Sequence, residues 1–156
     1  MPKSRFRDRI ADSVPRDIGD PDALRKYRDE AIVSGCLGTR HTPEVAARYR
    51  RLRPGAKDET SKSVRLHPQG LCPTLRAGTD ANRGSYQAVR PIHPTADRVI
   101  TPREAARLQG FPDWFQFAPS KWHSFRQIGN SVSPLVAEAL LSVLFSKIQD
   151  YERTAR

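Results

Sequence analysis

The sequence predicts an α+β fold: an irregular unit of short strands and loops, then two short helices and one longer C-terminal helix. Three observations predict it. Residues 56–100 break into short apolar runs between Pro68, Gly70, Pro73, Gly78, Gly84, Pro91 and Pro94, which is the pattern of short strands and turns. The last third carries repeated helix-start signals, Thr101-Pro102, Ser120 and Ser133-Pro134, in which a capping hydroxyl precedes the first turn. With 156 residues and 37% hydrophobic side chains, the chain can bury one ordinary core or two small ones, but not a generous one.

Taken in order, residues 1–38 are polar and interrupted by Pro15, Gly19, Pro21, Gly35 and Gly38. One short helix fits around Asp22–Val33, and the segment is expected to be partly disordered without a partner. Thr42-Pro43-Glu44 then supplies a cap, a proline at the first helical position and an acid in the first turn. Val45, Ala46, Tyr49 and Leu52 follow on one face, so residues 43–52 form a helix ended by Pro54-Gly55. Arg48, Arg50, Arg51 and Arg53 occupy its other sides, either as a solvated face or as phosphate contacts. Ser63–Leu66 and Tyr86–Pro91 are the clearest short strands. Thr101-Pro102-Arg103-Glu104 is a capping box, and its helix stops at Gly110 before Pro112. Ser120 caps a helix through Gln127, closed by Gly129. Ser133-Pro134 opens the third, with Leu135, Val136, Ala139, Leu140, Val143 and Leu144 at helical spacing through about Ile148. Phe111, Trp114, Phe115, Phe117, Trp122 and Phe125, six of the 12 aromatics, cluster between these helices and predict a core that joins them.

Lys and Arg number 27 against 17 Asp and Glu, a net charge of +10. Such a surplus favours a polyanion, because cations placed on phosphates release condensed counterions. Arginine dominates, with 21 Arg to 6 Lys, and its planar fork suits phosphate and guanine edges. A GC-rich coding sequence would also favour Arg, so composition leaves both readings open. Between Arg40 and Arg76 stand nine cations and three acids, which concentrates the excess there. No uninterrupted apolar run reaches the roughly 18 residues of a membrane span, and residues 1–10 hold no apolar signal core, so a cytosolic protein is expected. Cys36 and Cys72 then read as reduced thiols. Two Cys and four scattered His give no metal-ligand spacing.

Two stretches resemble motifs of the DNA (cytosine-5) methyltransferase family. Arg98-Val99-Ile100-Thr101-Pro102-Arg103-Glu104-Ala105-Ala106-Arg107-Leu108-Gln109-Gly110-Phe111-Pro112-Asp113 is similar to the ninth conserved motif. Arg126-Gln127-Ile128-Gly129-Asn130-Ser131-Val132-Ser133-Pro134 is similar to the tenth. Pro73-Thr74-Leu75 sits where the family's target-recognition domain ends in a Thr-Leu pair, and the resemblance covers roughly residues 40–148. It implies a small irregular target-recognition domain with the ninth motif over 39–118, and a tenth motif with terminal helix over 119–150. The longer helix would pack on a Rossmann-like methyltransferase domain. By matching position, Thr74 contacts a DNA phosphate, a role that orients without reading sequence. Arg76, Arg83 and Arg90 are DNA-contact candidates on charge and location. Asn130, Ser131 and Val132 would line the S-adenosyl-L-methionine pocket, although Gly129-Asn130 could equally just end one helix before Ser133 starts the next. Arg98, Arg103, Glu104 and Arg107 read as internal scaffolding.

The family's chemistry flips cytosine out of the duplex, attacks carbon 6 with a thiolate from a Pro-Cys loop, and takes the methyl group from S-adenosyl-L-methionine. These residues contain no Pro-Cys pair, no Glu-Asn-Val run and no glycine loop for the cofactor. Cys72 stands in Leu-Cys-Pro order and Cys36 in Ser-Gly-Cys-Leu-Gly, so neither reads as the nucleophile. The expected partners are double-stranded DNA and a catalytic methyltransferase subunit carrying the Pro-Cys loop, in a bacterial or phage setting. A truncated remnant and an excised fragment remain open beside the split subunit; Met1 leans toward a complete reading frame. The rival class is a non-enzymatic DNA-binding module, with residues 102–110 and 120–128 as a helix-turn-helix. Its linker, Phe111–Pro119, is too long and too aromatic for that turn.

Overall fold

Capping chemistry sets where the helices begin. The computed structural model describes Asp8, Ile10 and residues 19–77 and 90–154, and five helices lie among the described residues. Helix α1, Pro21–Glu30, starts where the Asp20 carboxylate accepts from the Asp22 N–H at 3.0 Å. It ends three residues before Val33 because Ala31 turns left-handed, with φ 52°. Helix α2, Pro43–Arg51, is capped by Thr42. Helix α3, Pro102–Gln109, has the full capping box. Its Thr101 hydroxyl accepts from the Glu104 N–H at 3.1 Å, and the Glu104 carboxylate accepts from the Thr101 N–H at 2.8 Å. Gly110 closes it at φ 87°, a conformation that favours glycine.

Helix α4 runs Lys121–Asn130 from the Ser120 cap. It therefore passes through Gly129 instead of closing there, and Ser131 is its C-cap. Helix α5, Pro134–Thr154, runs six residues past the expected end at Ile148, since no glycine or proline interrupts Gln149–Thr154.

The expected short strands appear among the described residues only as isolated bridges: Lys57 with Val64, Arg65 with Ile92, and Ile92 with Val99. Ile92 is fully buried at their centre, its N–H donating to the Val64 carbonyl at 2.9 Å. The Pro91 carbonyl accepts from the Ile100 N–H at 2.9 Å and the His93 N–H donates to the Arg98 carbonyl at 2.8 Å, while Pro91 and Pro94 have no N–H to extend the pairing into a longer ladder. Most of the Tyr86–Pro91 run lies outside the described residues.

Two clusters hold these elements. Tyr49, Ile92 and Val99 are buried together, with Val45 and Leu52 packed against them, which is the face the sequence assigned to α2. The larger cluster joins Leu66, Ile100, Ala105, Ala106, Phe111, Phe117, Phe125 and Ile128, with Leu75, Cys72 and Phe115 at its edge. Phe111, Phe115 and Phe117 stack at 5.0–5.2 Å between centroids, so the aromatic loop is core, as its composition predicted. Trp114 and Trp122 are only half-buried.

Candidate functional site

The ninth-motif side chains are spent on structure. Arg103 is almost wholly buried. Its guanidinium donates to the Ser34 carbonyl at 2.8 Å, the Ser34 hydroxyl at 3.0 Å, the Pro112 carbonyl at 3.1 Å and the Phe115 carbonyl at 2.6 Å. Ser34 and Gly35 therefore lie across the start of α3, where the Arg103 N–H also donates to the Gly35 carbonyl at 3.0 Å. Arg98 pairs bidentately with Glu104 at 2.8 and 2.7 Å, and Arg107 with Asp113 at 2.9 and 2.8 Å. Burial by itself would raise the Glu104 carboxyl, yet the Arg98 fork and the Thr101 N–H hold it down at about 2. Sequence reasoning missed Ser34; the only hint was Gly35, whose φ of 78° lets backbone meet backbone.

Only Arg65 and, in part, Arg48 of the cations between residues 40 and 76 are internal. Arg48 pairs with the buried Asp58 at 2.8 Å and Arg50 with Asp97 at 2.8 Å. Arg65 is buried against the Pro94 and Tyr49 carbonyls. Arg40, Arg51, Arg53, Lys57 and Arg76 are exposed and make no ion pair among the described residues, and Arg50 stays exposed beside Asp97, so together they carry the outward charge.

Thr74 and Arg76 are exposed on an extended segment whose Leu75 is tucked into the larger core. Arg90 is half-buried, its guanidinium 4.3 Å from the centre of the Phe125 ring, and burial lowers its pKa from the ordinary value. It is thus a stacked cation, less free than Arg76. Arg83 lies outside the described residues.

Asn130 and Val132 are exposed, and Ser131 between them is half-buried. The Ser131 hydroxyl donates to the Ile128 carbonyl at 2.7 Å, and its own carbonyl accepts from Gln109 Nε2 at 3.0 Å. The tail of α3 therefore holds the tenth-motif turn in place. The segment carrying Thr74 and Arg76 meets this turn at Gly129, where an added Cβ would stand 2.4 Å from the Ala77 nitrogen.

Neither thiol is set up for attack. Burial pushes the Cys72 thiol up, the opposite of what a nucleophile needs, and Cys36 is exposed beside the Val33 carbonyl. Among the described residues no cluster of His, Cys, Asp and Glu could hold a metal. A hollow of about 300 Å³ opens beside Cys72, but Glu104 and Arg107 on its wall are already paired.

Helix α5 is exposed on nearly all sides: Val136, Leu140, Leu141, Val143, Leu144, Phe145, Ile148 and Tyr151 are each more than half exposed. An 18-residue window within Lys121–Thr154 reaches a mean hydropathy of 1.5, but α4 and α5 are separate helices joined at Ser131–Ser133, so the stretch is not a clear membrane span. Ser142, Ser146 and Lys147 are spaced through α5, so no uninterrupted apolar run reaches the length of a span. The alternative helix-turn-helix geometry is not formed: Ser124, Phe125 and Ile128 of α4 are buried, and the aromatic linker is core.

The exposed Thr74 and Arg76 thus sit on a segment that rests on the end of α4 at Gly129. The chain belongs to the C-5 cytosine-specific DNA methylases, whose family model matches residues 22–146. It is 48% identical over 126 residues to the type II methyltransferase M.XorII of Xanthomonas oryzae pv. oryzae, covering 81% of this chain and 29% of that protein. DNA (cytosine-5)-methyltransferase 2 of Arabidopsis thaliana is 56% identical over 49 residues, 31% of this chain and 3% of that protein. A crystal structure of a candidate DNA modification methyltransferase encoded within an E. coli prophage superposes with TM-score 0.79 at 51% identity, covering 92% of this chain and 37% of that one. The chain thus spans about a third or less of these relatives.

Proposed function

We propose that this chain is the recognition and carboxy-terminal part of an S-adenosyl-L-methionine-dependent DNA (cytosine-5) methyltransferase, and that a separate segment supplies the catalytic cysteine. Residues 39–118 act as the recognition unit and 119–150 as the link to the cofactor domain. Thr74, Arg76, Arg83 and Arg90 grip the duplex backbone, Thr74 through its hydroxyl and the arginines through charge. Asn130, Ser131 and Val132 complete one edge of the cofactor pocket at the junction of α4 and α5, where Asn130 and Val132 are exposed and Ser131 is held by the Ile128 carbonyl. The apolar face of α5 docks on the catalytic segment's sheet, which is how so much exposed aliphatic surface would be covered.

The observation that carries this reading is the superposition of 92% of the chain on 37% of a longer methyltransferase, combined with the absence of any Pro-Cys pair in these 156 residues. The test mixes the chain with a polypeptide bearing a Pro-Cys loop and a glycine-rich cofactor motif, and measures labelled methyl transfer to duplex DNA. Transfer is expected only from the mixture. Transfer by this chain alone, or covalent trapping of Cys36 or Cys72 on fluorinated cytosine, overturns the proposal. In the active mixture, Asn130→Ala weakens cofactor binding and leaves bare DNA affinity unchanged. Thr74→Val weakens DNA binding by about a hydrogen bond, roughly 1 kcal/mol, on all sequences alike.

A further inference from the structure

We infer that Gly129 is a positioning residue that couples the duplex-gripping segment to the cofactor-facing turn. The inference rests on the roles proposed above for Thr74 and Asn130.

Gly129 stands in the last turn of α4, and its φ is not in the left-handed region. A helix gains from alanine at such a place, so neither backbone conformation nor helix stability asks for glycine there. Space does. A Cβ on Gly129 would lie 2.4 Å from the Ala77 nitrogen, 2.6 Å from the Arg76 carbonyl carbon and 2.8 Å from the Ala77 Cα. All three are backbone atoms, which cannot swing aside as a side-chain tip can. The extended chain after Thr74 is therefore pressed directly on the helix end that presents Asn130.

Both parts are clamped elsewhere. Leu75 is packed against the core cluster that contains Ile128, one residue before the glycine. Beyond the glycine, Gln109 Nε2 holds the Ser131 carbonyl at 3.0 Å, and the Ser131 hydroxyl returns to Ile128 at 2.7 Å. Close-packed interiors transmit displacement instead of absorbing it. A duplex that steadies Thr74–Ala77 thereby steadies Asn130–Val132, and by linkage cofactor at the turn strengthens the grip on DNA.

Hydrogen exchange on the whole chain, with and without a duplex oligonucleotide at low salt, tests this. In the unmodified chain the duplex slows exchange several-fold at Leu75–Ala77 and also at Ser131 and Val132. Thr74→Val reduces both effects in parallel. Gly129→Ala, which faces no phosphate, keeps some slowing at Leu75–Ala77 and loses it at Ser131 and Val132. Slowing at Leu75–Ala77 with none at Ser131 and Val132 overturns the coupling while leaving the DNA-binding proposal intact. Unchanged slowing at the turn in Gly129→Ala also overturns it, because the DNA would then reach the turn directly. No slowing at Leu75–Ala77 overturns the DNA-binding proposal and the coupling with it. If Gly129→Ala does not fold, Gln109→Ala, which frees the Ser131 carbonyl from α3, takes its place. It keeps the slowing at Leu75–Ala77 and loses it at Ser131 and Val132, and unchanged slowing at the turn overturns the coupling.

Discussion

Replacing Arg103 with methionine keeps the volume of the side chain and removes its guanidinium. The guanidinium makes four hydrogen bonds of 2.6–3.1 Å, and the side chain is only 2% exposed. An apolar replacement of a buried charge is often tolerated when both partners go. Here the partners stay: the carbonyls of Ser34, Pro112 and Phe115 belong to the backbone and would be stranded away from water. Each buried polar group left without a partner costs about 1–3 kcal/mol, and such losses are less than additive among neighbours. A total of about 4 kcal/mol follows, within the roughly 3–5 kcal/mol typical of breaking a buried charge network. Against the roughly 5–15 kcal/mol that holds an ordinary domain together, that is a large fraction. Arg103→Lys should cost nearly as much, because one ammonium cannot span Ser34 and Phe115 together. Urea unfolding followed by the fluorescence of Trp114, which packs against Phe115, and of Trp122 measures it. A loss below about 1 kcal/mol would refute the reasoning, since it would mean the carbonyls find other donors.

Acid should destabilise the chain partly through Glu104, whose carboxyl lies at about 2 instead of 4.5. A depressed folded-state pKa contributes stability above the unfolded value and loses it as pH falls toward the folded one. The loss therefore falls between about pH 4.5 and 2 and amounts to about 3 kcal/mol at most; in Glu104→Gln, Tm should vary less with pH across that window. Gly110→Ala places a Cβ 3.1 Å from Leu135 Cγ and 3.2 Å from the Ser133 hydroxyl, at φ 87°. The positive φ alone costs roughly 1–2 kcal/mol, so thermal unfolding should shift down, and an unchanged Tm would show that the junction of α3 and α5 adjusts freely. Leu140→Glu with Leu144→Glu should abolish binding of a hydrophobic dye and any self-association without lowering Tm, because both leucines are about 60% exposed; a large drop in Tm would mean that α5 is buried in the free chain.

What the sequence made legible was local chemistry. Thr42, Thr101 and Ser120 cap the helices they were expected to cap because a hydroxyl before a first turn has one nearby use. The α2 face could be read from Val45, Ala46, Tyr49 and Leu52 because helical period alone decides it. The family was legible from three motifs in order. Arg103 could be read as scaffolding, but its partner Ser34 lies 69 residues away, and no local pattern announces a contact at that range. Arg48 and Arg65 counted toward the basic surface until Asp58 and the Tyr49 carbonyl were seen to hold them. Gly129 looked like a helix stop because glycine usually is one there; the crossing chain that requires it comes from fifty residues upstream.

The Ser34–Arg103 contact also has a bearing on how this protein could change. Because the backbone at Gly35 is bonded to the backbone at Arg103, the chain leaves the helical scaffold and returns to it at almost the same point. Everything between behaves as an excursion with its two feet tied together. Lengthening, shortening or exchanging the exposed residues 67–71 of that excursion, between the buried Leu66 and the core-edge Cys72, leaves the feet where they were. Changes confined to that stretch leave α3, α4 and α5 packed as they are.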